Sequence, residues 1–204
     1  MNLAALRDRL DYQIVLLGAT ALLAAALLAG ANALTRPAIA AAEARDLTES
    51  LAQVLPVGSF DNDLATEALS LDTAQGPVTV WRARKEGATT AVVLRLAQPG
   101  YSGLIHIVVG IAPDGQVLGV RVLKHTETPG LGDKIETAKG DWIHGFAGKS
   151  LTAPEPARWA VKKDGGVFDQ FTGATITPRA VVNGVKRALE LFANERARLL
   201  GEEK

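Results

Sequence analysis

Three threonine hydroxyls fall within six positions, at Thr172, Thr175 and Thr177, and Pro178 follows the last of them. Gly173 gives the backbone freedom to turn inside this stretch. Thr177 stands where an N-cap belongs, and Pro178 suits the first helical position because its missing N–H would be unpaired there anyway. Beyond it Val181, Val182, Val185, Ala188, Leu189 and Phe192 recur at helical spacing. A helix N-terminus presents unpaired N–H groups and a partial positive charge, which suits a phosphate. Local chemistry alone favours an ordinary Thr-Pro helix start over a phosphate seat.

A second stretch with chemical content runs from His125 to Lys134 and contains Glu127-Thr128-Pro129-Gly130-Leu131-Gly132. It follows an expected strand directly. Its Gly and Pro residues let backbone groups approach a planar ligand, or simply make the turn between a strand and a helix. Gly100-Tyr101-Ser102-Gly103 reads as an ordinary turn, with a flexible site loop as the other use of such a stretch. Trp142 and Phe146 read as core residues, with stacking on a ligand as the other use of such rings. His106, His125 and His144 lack metal-ligand spacing. Asp61, Asp63, Glu67 and Asp72 match no calcium loop, so the weakly patterned segment from Gly58 to Pro77 reads as solvated surface.

Composition excludes several functions. The 22 basic and 22 acidic residues balance, so no basic excess exists to neutralise a nucleic acid backbone. Without cysteine, the chain has no disulfide, no thiol nucleophile and no cysteine ligand for an iron–sulfur cluster.

The elements that must position these stretches begin with a membrane anchor. Ile14 to Leu34 is free of charge and rich in Leu and Ala, and about 20 such residues span a bilayer. Arg7 and Arg9 precede it and Arg36 follows it, which puts the N-terminus in the cytoplasm and the domain outside. The run exceeds the apolar core of a typical cleaved signal peptide, so the anchor is read as retained despite the small residues around Ala31-Asn32-Ala33. Thr35-Arg36-Pro37 reads as a break, with a second helix from Ala38 to Leu55 carrying Ile39, Ala42, Leu47, Leu51 and Val54 as a stripe. The expected divisions are residues 1–13 in the cytoplasm, 14–34 across the membrane, 35–56 as a linker helix and 57–204 as an extracytoplasmic domain.

Within that domain the pattern changes to strands. Val78 to Lys85 and Thr89 to Leu96 flank a short turn, and Gly103 to Ala112 and Gln116 to Lys124 flank Pro113-Asp114-Gly115. Ile105, Ile107, Val109 and Ile111 share one face, as Leu118, Val120 and Val122 are expected to share another strand's. His106 and Val108 on the opposite face suggest that both faces are covered. Trp159 to Val161 reads as a further strand, Lys162 to Gly166 as a turn, and Glu195 to Lys204 as a fraying tail. The fold class is α+β, a twisted antiparallel sheet packed with helices.

Two of these stretches carry a resemblance. Thr172-Gly173-Ala174-Thr175-Ile176-Thr177, with Asp169 upstream, resembles the flavinylation motif [S/T]-G-A-T-x-T. Glu127 to Gly132 resembles the E-T-P-G-L-G hallmark of the same family. That family is the FMN-binding domain shared by the G subunit of the Rnf (Rsx) electron-transport complexes and the C subunit of the sodium-pumping NADH:quinone reductase. The resemblance implies FMN joined to Thr177 by a phosphoester, with Thr172, Gly173, Ala174 and Thr175 around it. It also implies that Glu127, Thr128, Pro129, Gly130, Leu131 and Gly132 lie about the isoalloxazine ring. Independently of the resemblance, Lys162 or Lys163 has the charge to reach a flavin's phosphate or its ring's N1–C2 edge, or else lies in a solvated turn. A separate magnesium-dependent flavin transferase would attach the FMN from FAD. The implied role is an electron relay in a membrane complex that couples NADH and ferredoxin redox chemistry to ion translocation. No complete active site is expected in this chain, so its partners are other subunits and membrane lipid. The Rnf G subunit is favoured over the quinone-reductase C subunit by the compact length, and a non-redox anchored binding or assembly domain is the remaining reading.

Overall fold

The computed structural model describes residues 10–64, 68–74 and 76–202. Arg7, Arg9 and Glu67, on which expectations rest, and the last residues of the tail, Glu203 and Lys204, lie outside the described residues. The chain divides into two compact units, Met1–Arg45 and Asp46–Lys204.

Helix α1, Leu10–Gln53, runs 44 residues without interruption, and Pro37 lies inside it. The expected break at Thr35-Arg36-Pro37 is therefore absent, and the second helix is a continuation of the first. Proline removes one hydrogen-bond donor from a helix, yet long apolar helices tolerate it when nearby groups serve the backbone. Just before the proline, the Thr35 hydroxyl also donates back to the Ala31 carbonyl at 2.9 Å, although the carbonyl that Pro37 leaves without its donor is that of Ala33. The apolar part of α1 is long and apolar enough to cross a membrane, and its large side chains are exposed.

The second unit is built on a five-stranded antiparallel meander in the order β1 to β5. Its strands are β1 Leu69–Thr73, β2 Gly76–Lys85, β3 Ala88–Pro99, β4 Leu104–Ile111 and β5 Val117–Lys124. The β2–β3 turn has positive φ at both Glu86 and Gly87, the conformation whose twist matches a tight hairpin. Strand β1 falls where a solvated segment was expected. Leu71 is the one core residue of this short edge strand, too few to register as alternation. Leu64, in the same segment, is buried as well.

Both faces of the sheet are covered, as the mixed pattern of β4 implies. Val80, Leu94, Ile105, Ile107 and Val109 meet helix α2, Ile176–Asn194, through Val181, Val182, Val185, Ala188, Leu189 and Phe192. Trp81, Ala83, Ala91, Val93 and Val108 on the reverse face meet Leu51, Val54 and Leu55 at the end of α1 and beyond it. Ile39 of the expected stripe is exposed and Leu47 only partly buried, so the packed part of the stripe is its C-terminal end. Gly110 and Gly119 pair across β4 and β5, and a Cβ on Gly119 would stand 3.0 Å from Val54 Cα. The two glycines let the chain at Val54 rest directly on the strands. A register shift beside them sends Leu118 to the reverse face while Val117, Val120 and Val122 stay on the α2 side. Strict alternation had placed Leu118 with Val120, and a bulge breaks that period.

The segment after β5 holds four 3₁₀ turns instead of strands. Trp159 to Val161 contributes only a single bridge, Val161 to Phe168. Trp159 is nevertheless core, ringed by Phe146 and Phe168, and Trp142 packs edge-on against Phe146 and Phe171. The tail does not fray within the described residues. Helix α3, Arg196–Leu200, buries Leu199 and Leu200, and Arg82 donates to the Leu199 and Arg198 carbonyls at 2.8 and 2.6 Å.

Candidate functional site

The chain reverses at Gly173, whose φ is +82°, and enters α2 at Ile176 with Thr175 as the capping residue. This moves the helix start two residues upstream of the expected N-cap at Thr177. Pro178 occupies the third helical position, still within the turn whose N–H groups lack intrahelical acceptors, so the proline rule permits either start. The shift changes the role of Thr177. Its hydroxyl is buried and donates to Glu127 Oε2, in place of capping the helix.

Glu127 comes from the loop after β5, and Glu127 Oε1 accepts the backbone N–H groups of Tyr101 and Ser102, both at 3.0 Å. One carboxylate thus ties together the turn before β4, the loop after β5 and the first turn of α2. His125 secures the loop from behind. Its Nδ1 accepts the Glu127 N–H at 3.1 Å, which leaves Nε2–H to donate to Glu136 Oε1 at 2.8 Å. The loop then turns on itself, with the Leu131 and Gly132 N–H groups donating to the Thr128 carbonyl. Gly130 holds φ +79° at the corner, and its N–H beside Asp133 keeps that carboxyl below the usual carboxylate range. Gly132 is required by space. A Cβ there would stand 2.9 Å from both Glu127 Cβ and Thr177 Oγ1.

These elements enclose a cavity of about 310 Å³ lined by Tyr101, Glu127, Thr128, Leu131, Gly132 and the run from Gly173 to Thr177. Eight of the twelve expected cofactor residues meet in it: Glu127, Thr128, Leu131, Gly132, Gly173, Ala174, Thr175 and Thr177. Thr172, Pro129, Gly130 and Lys162 are not among its lining residues. Lys162 instead pairs with Asp169 at 2.6 Å, with both side chains more than half exposed. Tyr101 and Ile176 also line the cavity; the turn that holds Tyr101 had a site loop as its second reading, and neither residue was expected as a ligand contact. An aromatic residue between two glycines was the available signal for Tyr101; Ile176 sits at the variable position of its motif and offered none.

The residues fit an FMN-sized group in three respects. A buried hydroxyl lies in the cavity wall, at the first turn of a 19-residue helix. Gly132 leaves the space beside it open. Tyr101, Leu131 and Ile176 expose apolar surface around the cavity, as a planar ring system requires.

Comparison with known proteins agrees with this architecture. Residues 100–190, which include every lining residue, match the FMN-binding domain family. The fold is that of the solved Shewanella oneidensis NqrC, with a TM-score of 0.50 at 24% identity over 68% of this chain and 74% of that one. The G subunit of the ion-translocating oxidoreductase complex from Cereibacter sphaeroides is 56% identical over 187 residues, covering 91% of this chain and 85% of its own. The G subunit from Pseudomonas aeruginosa is 47% identical over 98% of this chain and 96% of its own. The one from Cronobacter sakazakii is 51% identical over 85% and 86%. The chain belongs to the family of G subunits of the ion-translocating oxidoreductase complex.

Proposed function

We propose that this protein is an electron-relay component of an ion-translocating oxidoreductase, carrying FMN by a phosphoester at Thr177. The observation that carries the reading is the cavity that joins the two sequence stretches, with the Thr177 hydroxyl in its wall and held by Glu127. Bound FMN would supply reversible one- and two-electron transfer through its isoalloxazine ring. Thr177 would hold the phosphate, and Thr175 would orient the loop beside it. Tyr101, Leu131 and Ile176 would shield one part of the ring from water. The relatives at 47–56% identity favour the G subunit over the quinone-reductase C subunit, since the likeness to NqrC is one of fold.

The same reading places Ile14 to Leu34 across the cytoplasmic membrane, with the N-terminus inside and the second unit outside. The other subunits would supply the NADH site, the iron–sulfur clusters and the ion path. A flavin transferase acting before or during assembly would load Thr177, and the tether would retain the cofactor in a compartment without free FMN.

Peptide mass spectrometry of the tryptic fragment containing Thr175 and Thr177, after expression with the transferase, tests the attachment. FMN is expected on Thr177, absent from Thr177→Val and partly retained in Thr177→Ser. FMN on Thr172 or Thr175 of the unaltered chain, or its persistence in Thr177→Val, would overturn the assignment. A colourless, unmodified product would favour the non-redox reading.

A further inference from the structure

We infer that Glu127 is the proton acceptor for the Thr177 hydroxyl when that residue is modified, so that part of the attachment chemistry belongs to this chain. The inference rests on the attachment at Thr177 proposed above.

Several observations converge on it. Glu127 is only 4% exposed and Thr177 only 1%, so neither is solvated as an isolated side chain would be. The carboxylate has both oxygens engaged. Oε1 is fixed by the Tyr101 and Ser102 N–H groups, which leaves Oε2 aimed at the threonine hydroxyl. Glycine at two surrounding positions leaves room for this arrangement. A Cβ on Gly100 would run against Glu127 Oε1, and one on Gly132 would strike Glu127 and Thr177 together. Such a carboxylate is poorly placed to serve merely as one wall of a ring site. It is instead a pre-aligned base within hydrogen-bond reach of the proton it would take. Among the described residues this carboxylate engages the hydroxyl of Thr177 and not those of Thr172 or Thr175, which gives a chemical reason for selection of Thr177 over its neighbours.

The step balances as a phosphoryl transfer without oxidation or reduction. The donor is a flavin dinucleotide presented by the transferase. Thr177 Oγ1 forms a bond to the phosphorus of the FMN half, and the pyrophosphate P–O bond breaks with AMP as the leaving group. The hydroxyl proton passes to Glu127 Oε2. Once the ester oxygen carries no proton, a protonated Glu127 can return the hydrogen bond as donor, and a bare carboxylate is not left facing a phosphodiester.

The test uses the full chain in detergent, purified without FMN and incubated with transferase, magnesium and FAD. The readout is the initial rate of mass gain on the Thr177 peptide. Glu127→Gln keeps an acceptor for Tyr101 and Ser102 but cannot take the proton. Its rate is expected to fall about 100-fold or more while thermal melting shows it folded. Glu127→Ala is expected to be equally slow and to recover about tenfold when formate is added as a replacement base, a response that a purely structural role would not give. A Glu127→Gln rate within about threefold of the unaltered chain would overturn the inference. If Glu127→Gln does not fold, an Ala variant indifferent to formate overturns it. Failure of the attachment proposal itself looks different, because the unaltered chain would then carry no FMN on Thr177.

Discussion

Thr177 and Gly132 occupy the same few ångströms, and that proximity makes the glycine a sensitive probe of the site. Gly132 has φ −88°, which alanine adopts freely, so any effect of Gly132→Ala must come from the Cβ pressing on Glu127 and Thr177. Gly130 is the reverse case: open space around it, but φ +79°. Gly130→Ala is expected to cost about 1–2 kcal/mol of stability in denaturant titration while leaving FMN attachment near normal. Gly132→Ala is expected to impair attachment strongly. Equal attachment in the two variants would show that the crowding at Thr177 has no consequence. A second side chain carries a pH signature. Burial, then Arg95 and Lys124, lower the His106 pKa below its ordinary value of 6.5. As pH falls, the unfolded chain therefore binds this proton before the folded chain does. Stability should drop as pH is lowered through about 6.5. His106→Gln should flatten that part of the profile when unfolding midpoints are compared between about pH 7.5 and 5.5.

At the scale of elements, the three pieces of the site arrive from distant parts of the chain on a rigid support. β4 and β5 hold the Tyr101 turn and the Glu127 loop at one end of the sheet, and α2 delivers Thr177 across its face. Arg179 adds a two-pronged pair to Asp164 at 2.7 and 3.0 Å, joining the first turn of α2 to the 3₁₀ turn at Lys162–Asp164. Helix α3 closes the far end of the same layer. It carries two arginines, yet Leu199 is 1% exposed and its carbonyl is capped by Arg82. Leu199→Ala is expected to destabilise the domain by about 2–5 kcal/mol, measured by chemical unfolding. A change below about 0.5 kcal/mol would mean that the tail is as loose as its charge pattern suggests.

For the whole molecule, one helix of 44 residues carries an apolar half that the chain leaves exposed, and a domain begins where its last turns become buried. At 1.5 Å per residue, the 21 residues from Ile14 to Leu34 extend roughly 30 Å, about the hydrocarbon thickness of a bilayer. On the proposed topology, the bias of Arg7 and Arg9 over Arg36 would orient the domain away from the cytoplasm. An alkaline phosphatase fused after Lys204 is expected to be active, and a cytoplasm-dependent fluorescent reporter at the same point dark. The opposite pair of results would invert the topology.

The apolar run at Ile14–Leu34, the alternation of β2 to β4 and the 3.6-residue period after Pro178 were all legible in the sequence. The strand and α2 patterns are imposed by burial on one face of a regular element and the apolar run is continuous along one helix, so each is written in adjacent residues. The two glycine-rich stretches stood out through their resemblance to the motifs of a known family, while their local chemistry favoured ordinary turns. What adjacent residues could not reveal was decided by long-range packing. Edge strand β1 exists because β2 offers it a partner, and Leu118 changes face because Gly110 and Gly119 admit the chain at Val54. The charged tail is ordered because Arg82, more than a hundred positions earlier, donates to its carbonyls. Tyr101 reaches the cavity for the same kind of reason. Above all, the pairing of Glu127 with Thr177 spans fifty residues. The resemblance named both residues separately, and the folded arrangement made one the partner of the other. A hydrogen bond between side chains that far apart depends on where the sheet and α2 place them, and no local periodicity records that distance.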